Sequence, residues 1–357
     1  MTILAIETSC DDTCIALIKT SGNLPSLKLR RARKRFDFKI LSDIVSSQVE
    51  IHRKWGGVYP TLAKREHQKN LPVVLEKVLK KAKNPKINLI TVTIGPGLDP
   101  CLWVGVNFAK ALSADWNLPI VPVNHIEAHI LANFINGAEF SSPAVCLVVS
   151  GGHTQLILMK DFGKYKILGE TRDDAAGECF DKVAKILGLG YPGGPVVAAE
   201  AAKVRSTKYE NLHLPRPMIK QKNYDFSFSG LKTAVLYNFK SQSLKTRKSK
   251  KYIKEMCSET QQAIIDVLIR KTIRAARAYR AKTIILGGGV SANNELRKQF
   301  KAKVNSLKPK VNFLVPPKNL CTDNAVMTAV TGHFRWKKMK KAEKWQDIKA
   351  DANLKIC

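Results

Sequence analysis

Long apolar runs are missing from this sequence. No stretch approaches the roughly 18 consecutive apolar residues a membrane span requires, so no membrane association through a helix is expected. Also absent is any Cys-x-x-Cys pair among the eight cysteines. Cys10 and Cys14 crowd one short segment, which does not suggest a disulfide framework, and a reduced cytoplasmic protein is the simple reading. The chain passes from Met1 straight into an apolar stretch without a charged segment or cleavage site, so no signal peptide is expected. There is no G-x-x-x-x-G-K-[ST] loop, and no G-x-G-x-x-G links a strand to a helix. A nucleotide would need a site of another kind. Acids are scarce as well, with 29 Asp+Glu against 60 Lys+Arg in 357 residues, a net charge of +31.

Basic residues gather in three runs, Lys28–Lys39, Lys240–Lys254 and Lys337–Lys349. Such runs are either solvated surface or the footprint of a polyanionic partner, and an excess of this size points to RNA. None of the three carries a clean apolar face, which argues against a membrane surface.

What the chain does have is one phrase in two spellings. Residues 3–18 read ILAIETSCDDTCIALI and residues 144–159 read AVCLVVSGGHTQLILM. Each is an apolar run, a short polar tip and a second apolar run, the pattern of a β-hairpin. The tips, Ser9–Thr13 and Ser150–Thr154, are rich in small side chains and backbone N–H donors suited to an anion. Strands followed by glycine turns and helices recur along the rest of the chain, including INLITVTIG, PIVPVN and TIILGGGV. The pattern predicts an α/β protein built of two duplicated units, of the actin/hexokinase/Hsp70-like kind, as two lobes around a ligand cleft. The first lobe is placed at residues 1–124, completed by a C-terminal helix in 320–357, and the second at 125–319. Helices are predicted over DFSFSGLKTAVLYNF and from Ser291, which is the expected N-cap of its helix.

Three places could carry chemistry. His125 and His129 stand at i and i+4 on a predicted helix, so both imidazoles can reach one cation, although two packed histidines would read the same way. A zinc protease would need Glu at 126, where Ile126 stands. Four glycine clusters (Gly95-Pro96-Gly97, Gly151-Gly152, Gly193-Gly194 and Gly287-Gly288-Gly289) allow close backbone approach to a ligand, or simply turn the chain. Finally, Glu7, Asp11, Asp12, Asp173, Asp174, Glu178, Asp181 and Asp323 fall at predicted tips and helix starts. They could cap helices (Asp174 and Asp323 above all), complete a metal site or bind ribose.

Taken together, IETSCDDT, VNHIEAHI, LVVSGGHTQL, DDAAGECFDKVAKILGL-YPGG, DFSFSGLKTA, GGGVSANNELR and CTDNAVM closely resemble the TsaD/Gcp/Qri family. These are the tRNA N6-adenosine threonylcarbamoyltransferases. The likeness runs from Ile3 to about Trp336, and Val45–His67 is similar to the bacterial and organellar branch. Two departures stand out. Pro60-Thr61-Leu62-Ala63-Lys64-Arg65 replaces the usual Pro-Glu-Leu-Ala-Ser-Arg, and Ala325 occupies a position where glycine is common.

The resemblance implies transfer of a threonylcarbamoyl group from threonylcarbamoyl-AMP to N6 of the adenosine 3′ of the anticodon, in tRNAs reading codons that begin with A. It implies one divalent ion, iron or zinc, on His125, His129 and Asp323. It places the adenylate on Val148, Val149, Ser150, Gly151, Gly152, Asp181, Gly194 and Asn293. Glu7 and Asp11 are the candidates for proton handling or acceptor contact. TsaB-like and TsaE-like subunits are the implied protein partners. Two other classes stay open on the residues alone, an ATPase or phosphotransferase of the same fold and a non-catalytic RNA-binding protein.

Overall fold

The alternation at each end of the duplicated phrase produces a hairpin in the computed structural model, which describes residues 1–20, 37–204, 212–339 and 343–356. Two compact units form. The first takes residues 1–141, 162–164 and 316–357, and the second takes 142–161 and 165–315. The contact boundary therefore falls at Ser141/Ser142 instead of the expected 124/125, because the helix carrying His125 and His129 packs within the first unit.

In the first unit β1 (Thr2–Glu7), β2 (Asp12–Thr20) and β3 (Phe38–Ser47) precede α1 (Val49–Arg53) and α2 (Pro60–Lys81). β4 (Leu89–Gly95), α3 (Asp99–Asp115), β5 (Ile120–Asn124) and α4 (His125–Leu131) follow. The sheet order is β3-β2-β1-β4-β5, with β1 antiparallel to β2 and parallel to β4. Every residue of β1 is buried, as expected of a strand covered on both faces. β3 has no counterpart in the sequence reading. Its ten residues mix exposed and buried positions without clean alternation, as an edge strand can.

In the second unit β6 (Ala144–Val149), β7 (Thr154–Asp161) and β8 (Lys164–Glu170) lead to α5 (Ala176–Ile186) and α6 (Gly193–Ala201). Next come α7 (Ser229–Ser241), α8 (Leu244–Arg247), α9 (Lys250–Ala278), β9 (Thr283–Gly287), α10 (Asn294–Asn305) and β10 (Asn312–Leu314). Its order, β10-β9-β6-β7-β8, repeats that of the first sheet, with β6 antiparallel to β7 and parallel to β9. The duplication read from the two hairpins thus extends to whole sheets.

The chain returns to the first unit in α11 (Ala325–Lys338), whose first ten residues, to Phe334, are all buried. His333 sits edge-on to Phe38, ring centroids 5.3 Å apart. Burial, then the Lys337 and N-terminal charges, lower its pKa from 6.5 to about 4. The unfolded chain therefore binds a proton between pH 6.5 and 4 that the folded chain refuses. Stability should fall as pH drops through that window, by up to roughly 3 kcal/mol. His333→Gln is expected to flatten this part of the acid limb in chemical denaturation at pH 4–7. An unchanged slope would mean that other groups carry it.

Candidate functional site

β1 ends on Glu7, whose carboxylate is fully buried. Oε1 accepts from the Ser9 amide at 2.6 Å, and Oε2 accepts from Thr93 Oγ1 at 2.5 Å and Thr328 Oγ1 at 3.4 Å. His125 Nδ1 lies 3.2 Å from Glu7 Oε2, and Ser9 Oγ lies 3.2 Å from the same nitrogen. β5 delivers the two histidines. Its last residue, Asn124, caps α4 by accepting from the Ile126 and Glu127 amides, which fixes the first turn on which His125 stands.

The imidazoles of His125 and His129 pack edge to face at 4.6 Å. Their Nε2 atoms lie 3.5 Å and 3.3 Å from the same oxygen, Asp323 Oδ1, and the three ligand atoms fall within 4.8 Å of one another. Among the described residues this is the cluster of metal-ligating type.

The donor set fits a single metal ion. His129 is 1% exposed, yet its Nδ1 makes no hydrogen bond and its Nε2 faces only Asp323 Oδ1 at 3.3 Å, a costly state for a buried polar ring unless something else is held there. Behind His125, Glu7 supplies the carboxylate that commonly orients a metal-binding imidazole, so that Nδ1 donates and Nε2 offers its lone pair. The charges agree with a cation in the middle. Burial lowers the proton affinity of His125, but Asp323 and Glu7 outweigh it and raise the pKa to about 9. Burial and the neighbouring His125 lower that of His129. Glu7 is pushed up by burial and pulled down further by His125, ending below its ordinary value.

These positions revise the sequence reading of the acids. Glu7 is enclosed and committed to four partners, so it acts on His125 and cannot reach an acceptor. Asp11 is half-buried, and burial raises its pKa. Asp12, one of the acids grouped at the first tip, is lifted to about 7 by burial and the nearby Asp323, Asp11 and Glu7 despite its bond to Ser47. Asp323 does not cap α11, because the Asn324 side chain accepts from the Met327 amide. Asp174 likewise caps nothing and pairs with Lys182 at 2.6 Å and Lys232 at 3.3 Å. Thr93 and Thr328, which hold Glu7, gave no signal in the sequence.

The residues expected to hold the adenylate lie in the second unit. Val148 and Val149 end β6, and Ser150, Gly151 and Gly152 form the tip before β7. The Gly177 amide donates to Ser150 O and the Ala176 amide to Thr154 Oγ1, so the start of α5 is docked on that tip. Asp181, one turn further along α5, accepts from the Gly193 amide at 2.7 Å, beside Gly194. Asn293 follows β9 and caps α10, accepting from the Glu295 and Leu296 amides and donating to Gln261. Ser291, the expected cap, instead lies in a short 3-10 turn. The group gathers at the C-terminal ends of the parallel strands β6 and β9, where α/β folds bind ligands. The helix predicted over DFSF also begins later than expected. Asp173 takes the hydroxyls of Ser227 and Ser229 and the amides of Phe228 and Ser229, holding Ser227 and Phe228 outside the helix and anchoring its first residue. Burial raises the pKa of Asp173, but these bonds bring it below its usual value.

Of the basic runs, Arg30, Arg31, Arg33 and Lys34 lie outside the described residues. The second run covers the end of α7, α8 and the start of α9. No described helix is long and apolar enough to cross a membrane.

Comparison with known proteins agrees with this picture. Among solved structures, full-length HypF in its phosphate- and nucleotide-bound form superposes with a TM-score of 0.56 at 12% identity, covering 96% of this chain and 56% of HypF. A ROK family protein from Streptococcus pneumoniae superposes at 0.50 and 14% identity, over 95% of this chain and 98% of that one. They show the fold, a duplicated actin/hexokinase/Hsp70-like α/β architecture. In sequence, a tRNA N6-adenosine threonylcarbamoyltransferase of Thermosipho africanus is 44% identical over the full length of both chains. The TsaD family model, described as tRNA N6-adenosine threonylcarbamoyltransferase, matches residues 39–330. This chain belongs to the TsaD family.

Proposed function

We propose that this chain modifies tRNA by moving a threonylcarbamoyl group from threonylcarbamoyl-AMP to N6 of the adenosine 3′ of the anticodon, in tRNAs reading codons that begin with A. The observation that carries this reading is the convergence of His125, His129 and Asp323 in a chain that matches its family across residues 39–330. Those three residues would hold one divalent ion, iron or zinc, whose chemistry when bound is that of a Lewis acid and template. Glu7 keeps the His125 imidazole in the tautomer that presents Nε2.

Val148–Gly152, Gly194 and Asn293 bind the adenylate, and Asp181 holds the Gly193 turn that positions Gly194. The N6 lone pair attacks the carbamoyl carbon, the bond from that carbon to the phosphate oxygen breaks, and AMP leaves with the electron pair. The proton lost from N6 goes to Asp11, whose raised pKa suits it to accept and hold one. Because the mixed anhydride is already activated, no strong base is required. TsaB-like and TsaE-like subunits are the proposed protein partners, and the cytoplasm the proposed setting.

Mass spectrometry of tRNA nucleosides tests this reading. Cells lacking the protein should lose threonylcarbamoyladenosine and regain it on complementation. Unchanged levels in the deletion strain, with steady ATP turnover by the protein alone, would favour an ATPase of the same fold.

A further inference from the structure

Four cations of the second unit come together although they lie apart in sequence and outside all three basic runs. Arg270 and Arg277 stand on the exposed face of α9, at helical spacing with Arg274 between them. Lys303 projects from α10, and Lys220 from the segment before α7. With Arg216 and Arg274 they line a groove of 1190 Å³. Among the described residues Asp266 is the single carboxylate lining it, and Arg216 neutralises it through Nε at 3.0 Å.

The groove is rigid where it needs to be. Arg274 donates to the carbonyls of Gln221 and Asn223 and stacks over Tyr224 at 4.8 Å. Fully buried Lys271 donates to Asn223 and Asp225 from the same helix, so residues 221–225, of which Gln221 lines the groove, are tied to α9. Arg216 is likewise committed, to Glu259 and Asp266. Lys220, Arg270, Arg277 and Lys303 are exposed and make no ion pair among the described residues.

We infer that this groove is a binding site for the sugar-phosphate backbone of the tRNA substrate, an inference that rests on the tRNA-modifying function. Unpaired cations along a concave wall, with the local acid already neutralised, suit a chain of phosphodiesters better than a compact anion. Clustered charge of this kind also repels itself in the free protein, and phosphates relieve that repulsion. An acidic protein surface is the competing occupant.

The test uses the full-length chain and an unmodified tRNA transcript, with affinity measured over a series of salt concentrations. The quadruple variant Lys220→Gln, Arg270→Gln, Arg277→Gln, Lys303→Gln should lower the slope of log K against log salt by roughly 3, at 0.7–0.9 per phosphate contact. Its AMP affinity and melting temperature should match those of the parent, and the charge-conserving Arg270→Lys, Arg277→Lys variant should keep the parent slope. A parent that binds tRNA normally beside a folded quadruple variant of unchanged slope would overturn the groove and leave the function standing. A parent that does not bind tRNA at all would overturn both.

Discussion

Alanine at His129 is expected to leave the purified protein without stoichiometric metal and without detectable transfer, while the fold persists. The side chain's polar neighbour, Asp323 Oδ1 at 3.3 Å, keeps His125 Nε2 at 3.5 Å, so the cost to stability is mainly that of a small cavity. His125→Ala and Asp323→Ala should lose metal equally, although Asp323 joins the site from the far end of the chain. Glu7→Gln should behave differently. It would act on a bound ion only through His125, and losing such an orienting carboxylate typically costs 10–100-fold in affinity instead of abolishing binding. Elemental analysis and thermal melts of the four variants separate these outcomes. A metal-free parent, or full activity in both histidine variants, would show that the trio has another purpose.

The second large effect divides the glycines of the second unit into two kinds. A Cβ on Gly152 or Gly194 would meet nothing within 4 Å, so alanine there should leave the melting temperature nearly unchanged. If the backbone at these positions approaches the adenylate, the same methyl group should weaken AMP or donor binding by at least about tenfold, roughly 1.4 kcal/mol. Gly288 and Gly193 are the reverse case. Gly288 has φ +84°, and its Cβ would lie 2.4 Å from Val149 O; that of Gly193 would lie 2.5 Å from Asp181 Cα. Alanine at either should cost about 3 kcal/mol or more. Calorimetric melts beside AMP titrations distinguish the two kinds. If Gly152→Ala and Gly194→Ala both bind AMP as the parent does, the adenylate lies elsewhere.

The hairpins and the histidine pair were legible because each is a local pattern, strand alternation in one case and i, i+4 spacing in the other. What the sequence hid depends on distant partners. DFSF looks helical until Asp173, more than 50 positions earlier, captures its Ser227 hydroxyl and its Phe228 amide. Ser291 looks like a cap until the glycines before it tighten the chain into a 3-10 turn and pass the role to Asn293. β3 escaped notice because an edge strand that is half exposed carries neither a buried run nor a clean alternation. In the site itself, Asp323 was chosen by family likeness alone, and the threonines that pin Glu7 come from β4 and α11. Nothing near Glu7 in the sequence announces them.

The return of α11 to the first unit has a consequence for how the protein is made. Emerging from the ribosome, the chain offers β1 to β5 and both histidines early, but the helix that covers this sheet, and the carboxylate that faces the histidines, come only after the whole of the second unit has been translated. Nascent domains tend to fold as units in order of synthesis. Here the order is inverted, since the nearly continuous second unit can be finished while the first still waits, its apolar face uncovered, for the last helix. Histidines made early therefore wait for Asp323 before the three-residue cluster can form. Any ion held by all three residues would thus be loaded late in synthesis.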